Sequence, residues 1–305
     1  MSISRVYNKM SNWGKILTLT MLFILVIVLF RGFERKKEGF EQQDKFLFKT
    51  NADIYDDFYA DIYDYLVFNN MKDDYEIGRI INKTEPTSQS VILDVGSGTG
   101  HHVANLASKG YNVEGIDSSA AMVEKAKEQY PEYNFTVGDV LNNDQYNSDT
   151  FTHILCLYFT IYYFKDKSVF FNNAMKWLKH GGYLVVHLVD RHKFDPILPP
   201  GNPLLFVSPQ KYAKERITNT KVKFKDFGYQ ADFKLDETNN TAKFVEKFKN
   251  DVDGKIRKNE HTFYMNDTAD IVNEAQNAGF IVLEQIDLIK CQYEYQYLYI
   301  FTKPS

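Results

Sequence analysis

The chain has 305 residues, 44% of them hydrophobic and 25% charged, with a formal net charge of -4. That length allows one sizeable domain with an insertion, or two small domains. The acidic balance argues against general nucleic-acid affinity, which needs clustered Lys and Arg. The two cysteines, Cys156 and Cys291, form no Cys-x-x-Cys pair and so carry no zinc or redox motif.

Residues 1–50 differ in character from the rest. "KILTLTMLFILVIVLFR" runs from Lys15 to Arg31 with no charge between its ends, which predicts an uncleaved single-pass membrane anchor with the flanking cations reaching outward. A signal peptide is the competing reading, but no convincing small-residue cleavage site follows the apolar run. Lys and Arg on the two flanks tip the balance towards a cytosolic C-terminal domain. The charged stretch up to Thr50 reads as a linker.

From residue 51 a second domain is expected. "YDDFYADIYDYLVF" spaces Tyr55, Tyr59 and Tyr63 four apart, on one helical face, where they either pack as core or close over a ligand. After a turn-rich break, strands and helices alternate. "SVILDV", "YNVEGID", "YNFTVGD", "FTHILCLYF" and "YLVVHLV" read as strands, with helices between them. The pattern implies a doubly wound, mostly parallel α/β sheet. "KSVFFNNAMKWLKHGG" is expected as a helix with a glycine stop. Residues 196–262 break the alternation and read as a small antiparallel β insertion after the fifth strand, acting as a lid or substrate wall. A helix at "DTADIVNEAQNAG" and two closing strands, the last antiparallel, complete a seven-stranded sheet.

The glycine loop after the first parallel strand carries the chemistry. Gly96, Gly98 and Gly100 are spaced G-x-G-x-G and preceded by Asp94. Glycines let the backbone turn sharply and approach a ligand closely. The dinucleotide fingerprint needs its third glycine one position later, and no triphosphate P-loop pattern is present. A nicotinamide oxidoreductase is therefore disfavoured.

With "GID" at 115–117, "VGDV" at 137–140 and "LKHGGYLVV" at 178–186, this loop resembles the class I S-adenosylmethionine-dependent methyltransferases. His180 stands where that family usually has proline. The resemblance implies a Rossmann-like fold and S-adenosylmethionine as cofactor. It places Asp117 on the ribose hydroxyls, Asp139 on the adenine amino group and Met122 against the adenine. Asp94 orients the loop or receives the methionine ammonium. Ser97, Ser118, Val140 and Leu157 complete the expected cofactor contacts beside the three glycines.

Substrate-side candidates are weaker. Tyr158 and Thr160 follow the fourth strand, while His187 and Asp190 lie at the end of the fifth. His187, on an apolar strand, reads more readily as a satisfied core histidine than as a base. Cys156 reads as a buried thiol ahead of a nucleophile. Arg257, Glu260 and His261 either return to the active site or pair within the hairpins. Lys211, Lys214, Lys221, Lys223 and Lys225 either attract an anionic substrate or form a solvated face. No metal site is expected, and no [DNS]-P-P-[YFW] motif of base-modifying enzymes occurs. The expectation is methyl transfer to a small molecule. A catalytically silent interaction module on a membrane is the alternative.

Overall fold

The computed structural model describes residues 11, 13–15, 46–197, 210 and 213–305. The chain divides into two compact units, residues 1–46 and 47–305. In the first, Trp13 is exposed. The apolar run expected to span a membrane lies outside the described residues, apart from Lys15. Among the described residues no helix is long and apolar enough to cross a membrane.

The second unit is built on a seven-stranded sheet. Its strands are β2 (Val91–Val95), β3 (Asn112–Asp117), β4 (Asn134–Val137), β5 (Phe151–Cys156), β6 (Leu178–Val189), β11 (Ile281–Asp287) and β12 (Gln296–Thr302). The order across the sheet is β11-β12-β6-β5-β2-β3-β4. β2 to β6 pair in parallel, and β12 runs antiparallel to both β6 and β11. This is the mostly parallel, Rossmann-like sheet expected from the alternating pattern, with its last strand reversed.

The apolar runs of β2, β5 and β6 follow from burial on both faces. Leu93, Ile154 and Leu184 join one core cluster, and their neighbours Ile92, Leu155 and Val185 join another. The helices divide accordingly. α2 (Asn70–Thr84) and α3 (His101–Ser108) feed the second cluster. α1 (Asp57–Val67), α5 (Lys167–Trp177) and α6 (Thr268–Asn277) feed the first. α4 (Ala120–Gln129) contributes Met122 to one and Val123 to the other. Ser119 caps α4, its hydroxyl accepting from the Met122 amide at 3.1 Å.

A second, five-stranded sheet takes four antiparallel strands from the stretch between β6 and α6. It contains β7 (Asn219–Lys223), β8 (Phe227–Asp236), β9 (Thr241–Asn250) and β10 (Ile256–Tyr264). Its fifth strand was not foreseen. Phe46–Thr50, read as linker, forms β1 and pairs with β10 at the edge, giving the order β1-β10-β9-β8-β7. The consecutive apolar residues Phe46, Leu47 and Phe48 have the strand propensity that lets this short segment enter a ladder. One face of this sheet, through Tyr229, Phe233, Phe244, Phe248 and Phe263, packs into the first core cluster.

Two other expectations change in detail. The helix α5 ends at Trp177, and β6 begins at Leu178 without waiting for the glycines. Leu178 already has extended backbone, and Gly181, at φ +72°, sits within an irregular start to the strand where pairing with β5 shifts register. Tyr55 precedes α1, because the helix starts at Asp57 under an Asp56 cap.

Candidate functional site

A cavity of about 510 Å³ opens at the carboxyl ends of β2, β3 and β5. Ligands of open α/β sheets bind at this edge. The glycine loop forms one wall. Gly96, Gly98 and Gly100 have φ of +69°, +53° and +90°, a region side-chain-bearing residues adopt only under strain. They serve different purposes. A Cβ on Gly96 would meet Thr160 at 2.6 Å, and one on Gly100 would meet Phe135 at 2.7 Å. Gly98 faces the cavity, where a Cβ would sit 3.6 Å from the Tyr63 ring.

Asp117, at the end of β3, ties the loop to α4. Its Oδ2 accepts from the Gly98 amide at 3.0 Å and its Oδ1 from the Ser119 amide at 2.8 Å. Burial raises its pKa, against the two amide bonds that lower it. Ser97, Ser118, Met122, Asp139, Val140, Leu157 and Tyr158 also line the cavity. Asp94 and Gly100 do not. Asp94 is buried behind the loop, with an Oδ2 that has no hydrogen-bond partner.

Beside Asp94 lies a group of charges that the sequence reading missed. Lys72 and Glu76, one turn apart on α2, form a buried ion pair with Nζ 2.7 and 2.8 Å from the two carboxylate oxygens. His102, the second residue of α3, places Nε2 at 3.3 Å from Asp73 and 3.7 Å from Glu76, and Nδ1 at 3.9 Å from Asp94. Burial opposes charge on His102, but Glu76, Asp94 and Asp73 raise its pKa to about 9. Burial raises Asp94 to about 6, against the pull of His102. Burial works against Glu76 too, yet Lys72 and His102 bring it down to about 2. Lys72 and His102 line the cavity and supply its positive charge. The i,i+4 spacing in "NMKDDYE" and the His-His directly after the last loop glycine were the available signals.

His187 does not line the cavity. It is fully buried, and its Nδ1 donates to the Tyr158 carbonyl at 2.5 Å while Nε2 meets the Gln296 side chain at 3.0 Å. Burial lowers its pKa to about 4, with Lys72 adding to the effect. His187 is therefore neutral, and what it holds is Tyr158, whose φ of +53° is unusual for a bulky residue. Tyr158 itself faces the cavity, and Lys72 Nζ lies 5.1 Å from its ring centroid. Asp190 lies in a separate surface cleft with Arg191 and Asp267, its Oδ1 accepting from the His192 amide. Cys156 is a buried thiol whose pKa burial raises.

A second wall is aromatic. Tyr55, Tyr59 and Tyr63 meet as edge-on and tilted rings, with centroids 5.4–6.5 Å apart. Tyr163, Phe159, Phe244 and Phe263 continue the wall. Of the three hairpin residues singled out from the sequence, His261 reaches this wall. Arg257 instead clamps Asp56 through Nη1 at 2.8 and 2.9 Å, and Glu260 pairs with Lys243. Lys221, Lys223 and Lys225 are exposed, and neither they nor Lys214 line the cavity. Lys211 lies outside the described residues.

With this geometry, the chain can be set beside known proteins. Residues 92–182 match the family described as a methyltransferase domain. A dTDP-4-amino-2,3,4,6-tetradeoxy-D-glucose N,N-dimethyltransferase of Saccharopolyspora spinosa is 30% identical over 146 residues, 46% of this chain and 57% of that protein. The chain thus matches little more than half the length of this relative. The crystal structure of an S-adenosylmethionine-dependent methyltransferase from Clostridium acetobutylicum superimposes with a TM-score of 0.62 at 18% identity, covering 81% of this chain and 98% of that one. A sugar N-methyltransferase from Streptoalloteichus sp. does so with a TM-score of 0.58 at 17% identity, covering 77% and 88%. Residues 92–182 are thus similar to a methyltransferase domain, and the second unit shares the fold of the solved methyltransferases.

The glycine loop, β3 and β5 that frame the cavity all fall within the matched residues of this methyltransferase domain. The aromatic wall and the five-stranded sheet lie largely outside them.

Proposed function

We propose that the protein transfers a methyl group from S-adenosylmethionine to the nitrogen of a small-molecule amine. The observation that carries the reading is one continuous cavity, with the glycine loop and Asp117 in its lining. The same cavity is lined by a tyrosine-rich wall and by His261, backed by the buried carboxylate of Glu246. Aromatic faces and a nearby carboxylate suit a cationic amine. The N-methylating activity named for the Saccharopolyspora relative supports the same acceptor atom.

The residues present fit the cofactor. Asp117 would take the ribose hydroxyls, since one carboxylate accepts two donors well. Ser118, Met122, Asp139, Val140 and Leu157 would surround the nucleoside, and Gly98 leaves room for it. Lys72 and the charged His102 would face the carboxylate of the amino-acid portion, with Asp94 behind them. When bound, the cofactor supplies an activated methyl group. The chain's own residues align the amine and exclude water. The apolar run from Lys15 to Arg31 supports, from sequence alone, attachment of this activity to a membrane.

The test is calorimetry on the full-length chain with S-adenosylmethionine and S-adenosylhomocysteine, followed by transfer of labelled methyl to dTDP-4-amino-4,6-dideoxyglucose and to glucosamine. Binding at micromolar strength or better, with label on nitrogen, is expected. A folded protein that binds neither nucleoside would sink the reading. Label found only on oxygen would reject the amine acceptor.

A further inference from the structure

We propose that Tyr55, Tyr163 and His261 form a proton relay that removes a proton from the acceptor ammonium and delivers it beside the buried carboxylate of Glu246. The inference rests on the amine-methylation reading above and adds how the amine is made nucleophilic. A protonated amine has no lone pair to attack a methyl group, so a route for its proton is a chemical requirement.

The geometry is a chain of short contacts leading from the cavity into the second sheet. The Tyr55 and Tyr163 hydroxyls are 2.6 Å apart, the Tyr163 hydroxyl is 2.6 Å from His261 Nδ1, and His261 Nε2 is 2.9 Å from Glu246 Oε2. Tyr55, Tyr163 and His261 line the cavity, whereas Glu246 is fully buried.

The direction of each bond follows from the far end. Arg257 Nε donates to Asn259 Oδ1 at 2.8 Å, which turns the Asn259 amide nitrogen towards Glu246 at 3.2 Å. The Tyr229 hydroxyl donates to the other Glu246 oxygen at 2.8 Å. Burial opposes ionisation of Glu246, but the bonds from His261, Tyr229 and Asn259 hold its pKa below the ordinary value. A carboxylate only accepts, so His261 Nε2 carries the hydrogen. In the tautomer with its only hydrogen on Nε2, the ring presents a lone pair at Nδ1 to the Tyr163 hydroxyl. Tyr163 in turn accepts from Tyr55, whose oxygen keeps a lone pair for an incoming N–H.

The step balances. The ammonium N–H bond breaks and leaves its electron pair on nitrogen. That proton bonds to the Tyr55 oxygen as Tyr55's own proton passes to Tyr163 and Tyr163's passes to His261 Nδ1. The products are a neutral amine and an imidazolium facing the Glu246 carboxylate. Burial pushes both phenols well above their ordinary pKa, so they pass protons without holding a negative charge.

The groups facing His261 are Glu246 from β9, Tyr163 from the turn after β5, and Tyr55 and Tyr59 from the segment around the start of α1. Tyr229 of β8 acts through Glu246, and Arg257 is already engaged by Asn259 and Asp56. Phe244 and Phe263 complete the ring contacts.

The first measurement is nitrogen NMR of the full-length, histidine-labelled chain, with His261 assigned by loss of its signal in His261→Gln. The expected resting form near pH 7.5 is hydrogen on Nε2 and a bare Nδ1. A ring protonated at Nδ1, or an imidazolium throughout pH 6–9, overturns the relay. The second is the pH dependence of methyl transfer to the aminohexose nucleotide for wild type, Tyr163→Phe and His261→Gln. Tyr163→Phe keeps the ring and breaks only the relay, so it also answers whether a loss in His261→Gln is one of folding. A relay predicts a loss of roughly a hundredfold or more in kcat/KM near pH 7. The loss should be recovered as pH rises and the amine deprotonates unaided, with S-adenosylhomocysteine affinity unchanged. Wild-type rates and profiles in both variants, with methylation intact, reject the relay and leave the amine reading standing. If the nucleoside binds but no amine is methylated, the amine reading fails and the relay falls with it.

Discussion

Lys72 Nζ lies 2.7 Å from Glu76 Oε1 on the next turn of α2; both side chains are buried, and Glu76 lies 3.7 Å from His102, which is itself 3.9 Å from Asp94. A buried charge that loses its partner is expensive, because the remaining group keeps its desolvation cost. Lys72→Met should therefore lower stability by about 3 kcal/mol in denaturant unfolding. The same substitution should weaken S-adenosylmethionine, since a positive charge leaves the cavity wall. A stability within experimental error of wild type would mean that His102 alone neutralises Glu76.

The same cluster sets a pH limit. His102 is raised from 6.5 to about 9 by its acidic neighbours. A group with a raised folded-state pKa contributes stability that is complete below the unfolded value and lost as pH rises through the folded one. Wild type should lose several degrees of Tm between pH 6.5 and 9, and His102→Gln should show no such limb. Asp94 acts at lower pH. Its pKa of about 6 lies above the ordinary 3.8, so the folded state holds its proton longer and stability declines as pH rises from about 4 to 6. Scanning calorimetry across pH 4–9.5 on both proteins separates the two ranges.

Two of the loop glycines, Gly98 and Gly100, should respond differently to alanine. Left-handed backbone costs a non-glycine residue roughly 1–2 kcal/mol at each position. At Gly100 a Cβ also strikes Phe135 and Ala126 away from the cavity, so Gly100→Ala should lower Tm most while the folded fraction retains its cofactor affinity. At Gly98 the new methyl points into the cavity beside Tyr63, so Gly98→Ala should fold with a modest loss and bind S-adenosylhomocysteine at least tenfold more weakly. Thermal shift and calorimetry on the two variants should rank them in opposite orders.

Arg191 ties the two sheets together. Its guanidinium donates to Asn240 Oδ1 in the β8–β9 turn at 2.6 Å, to the Met265 carbonyl at 2.7 Å and to Asp267 at 3.0 Å. Arg191→Ala strands the buried Met265 carbonyl and removes the donor of the part-buried Asn240 Oδ1. The expected cost is about 3 kcal/mol, with faster proteolytic cleavage in the β8–β9 turn than elsewhere. Uniform cleavage across the chain would show that the arginine supports the whole fold and not this junction.

The sheet was legible because parallel strands covered on both faces must be continuously apolar, as "HILCLYF" and "YLVVHLV" are, and because the loop glycines and Asp117 lie close together in sequence. The glycine stop expected after α5 failed because Leu178 already satisfies extended backbone. β1 was hidden because three consecutive apolar residues after a charged stretch are too short a run to mark a strand. His102 and Lys72 were missed for a different reason. His102 depends on Asp73 and Glu76 of α2 and Asp94 of β2, which only tertiary packing brings together, and Lys72 pairs with Glu76 on its own helix but only the packing of α2 buries that pair beside the cavity. His261 was visible as an oddity in "RKNEHTFYM", but its partner Glu246 lies on the neighbouring strand and its target Tyr163 in the turn after β5. Pairings of that kind come from register, not from local pattern.

The five residues of β1 have a practical bearing on any shortened form of the protein. They cover the outer edge of β10, the strand that carries Arg257, Asn259 and His261. Cutting the chain at residue 51 would leave that edge bare, with a row of amide and carbonyl groups ready to zip onto another copy. A recombinant domain begun a few residues too late should therefore self-associate through the very strand that bears its histidine, and an inactive, aggregating preparation would report the choice of first residue, not the chemistry of the enzyme.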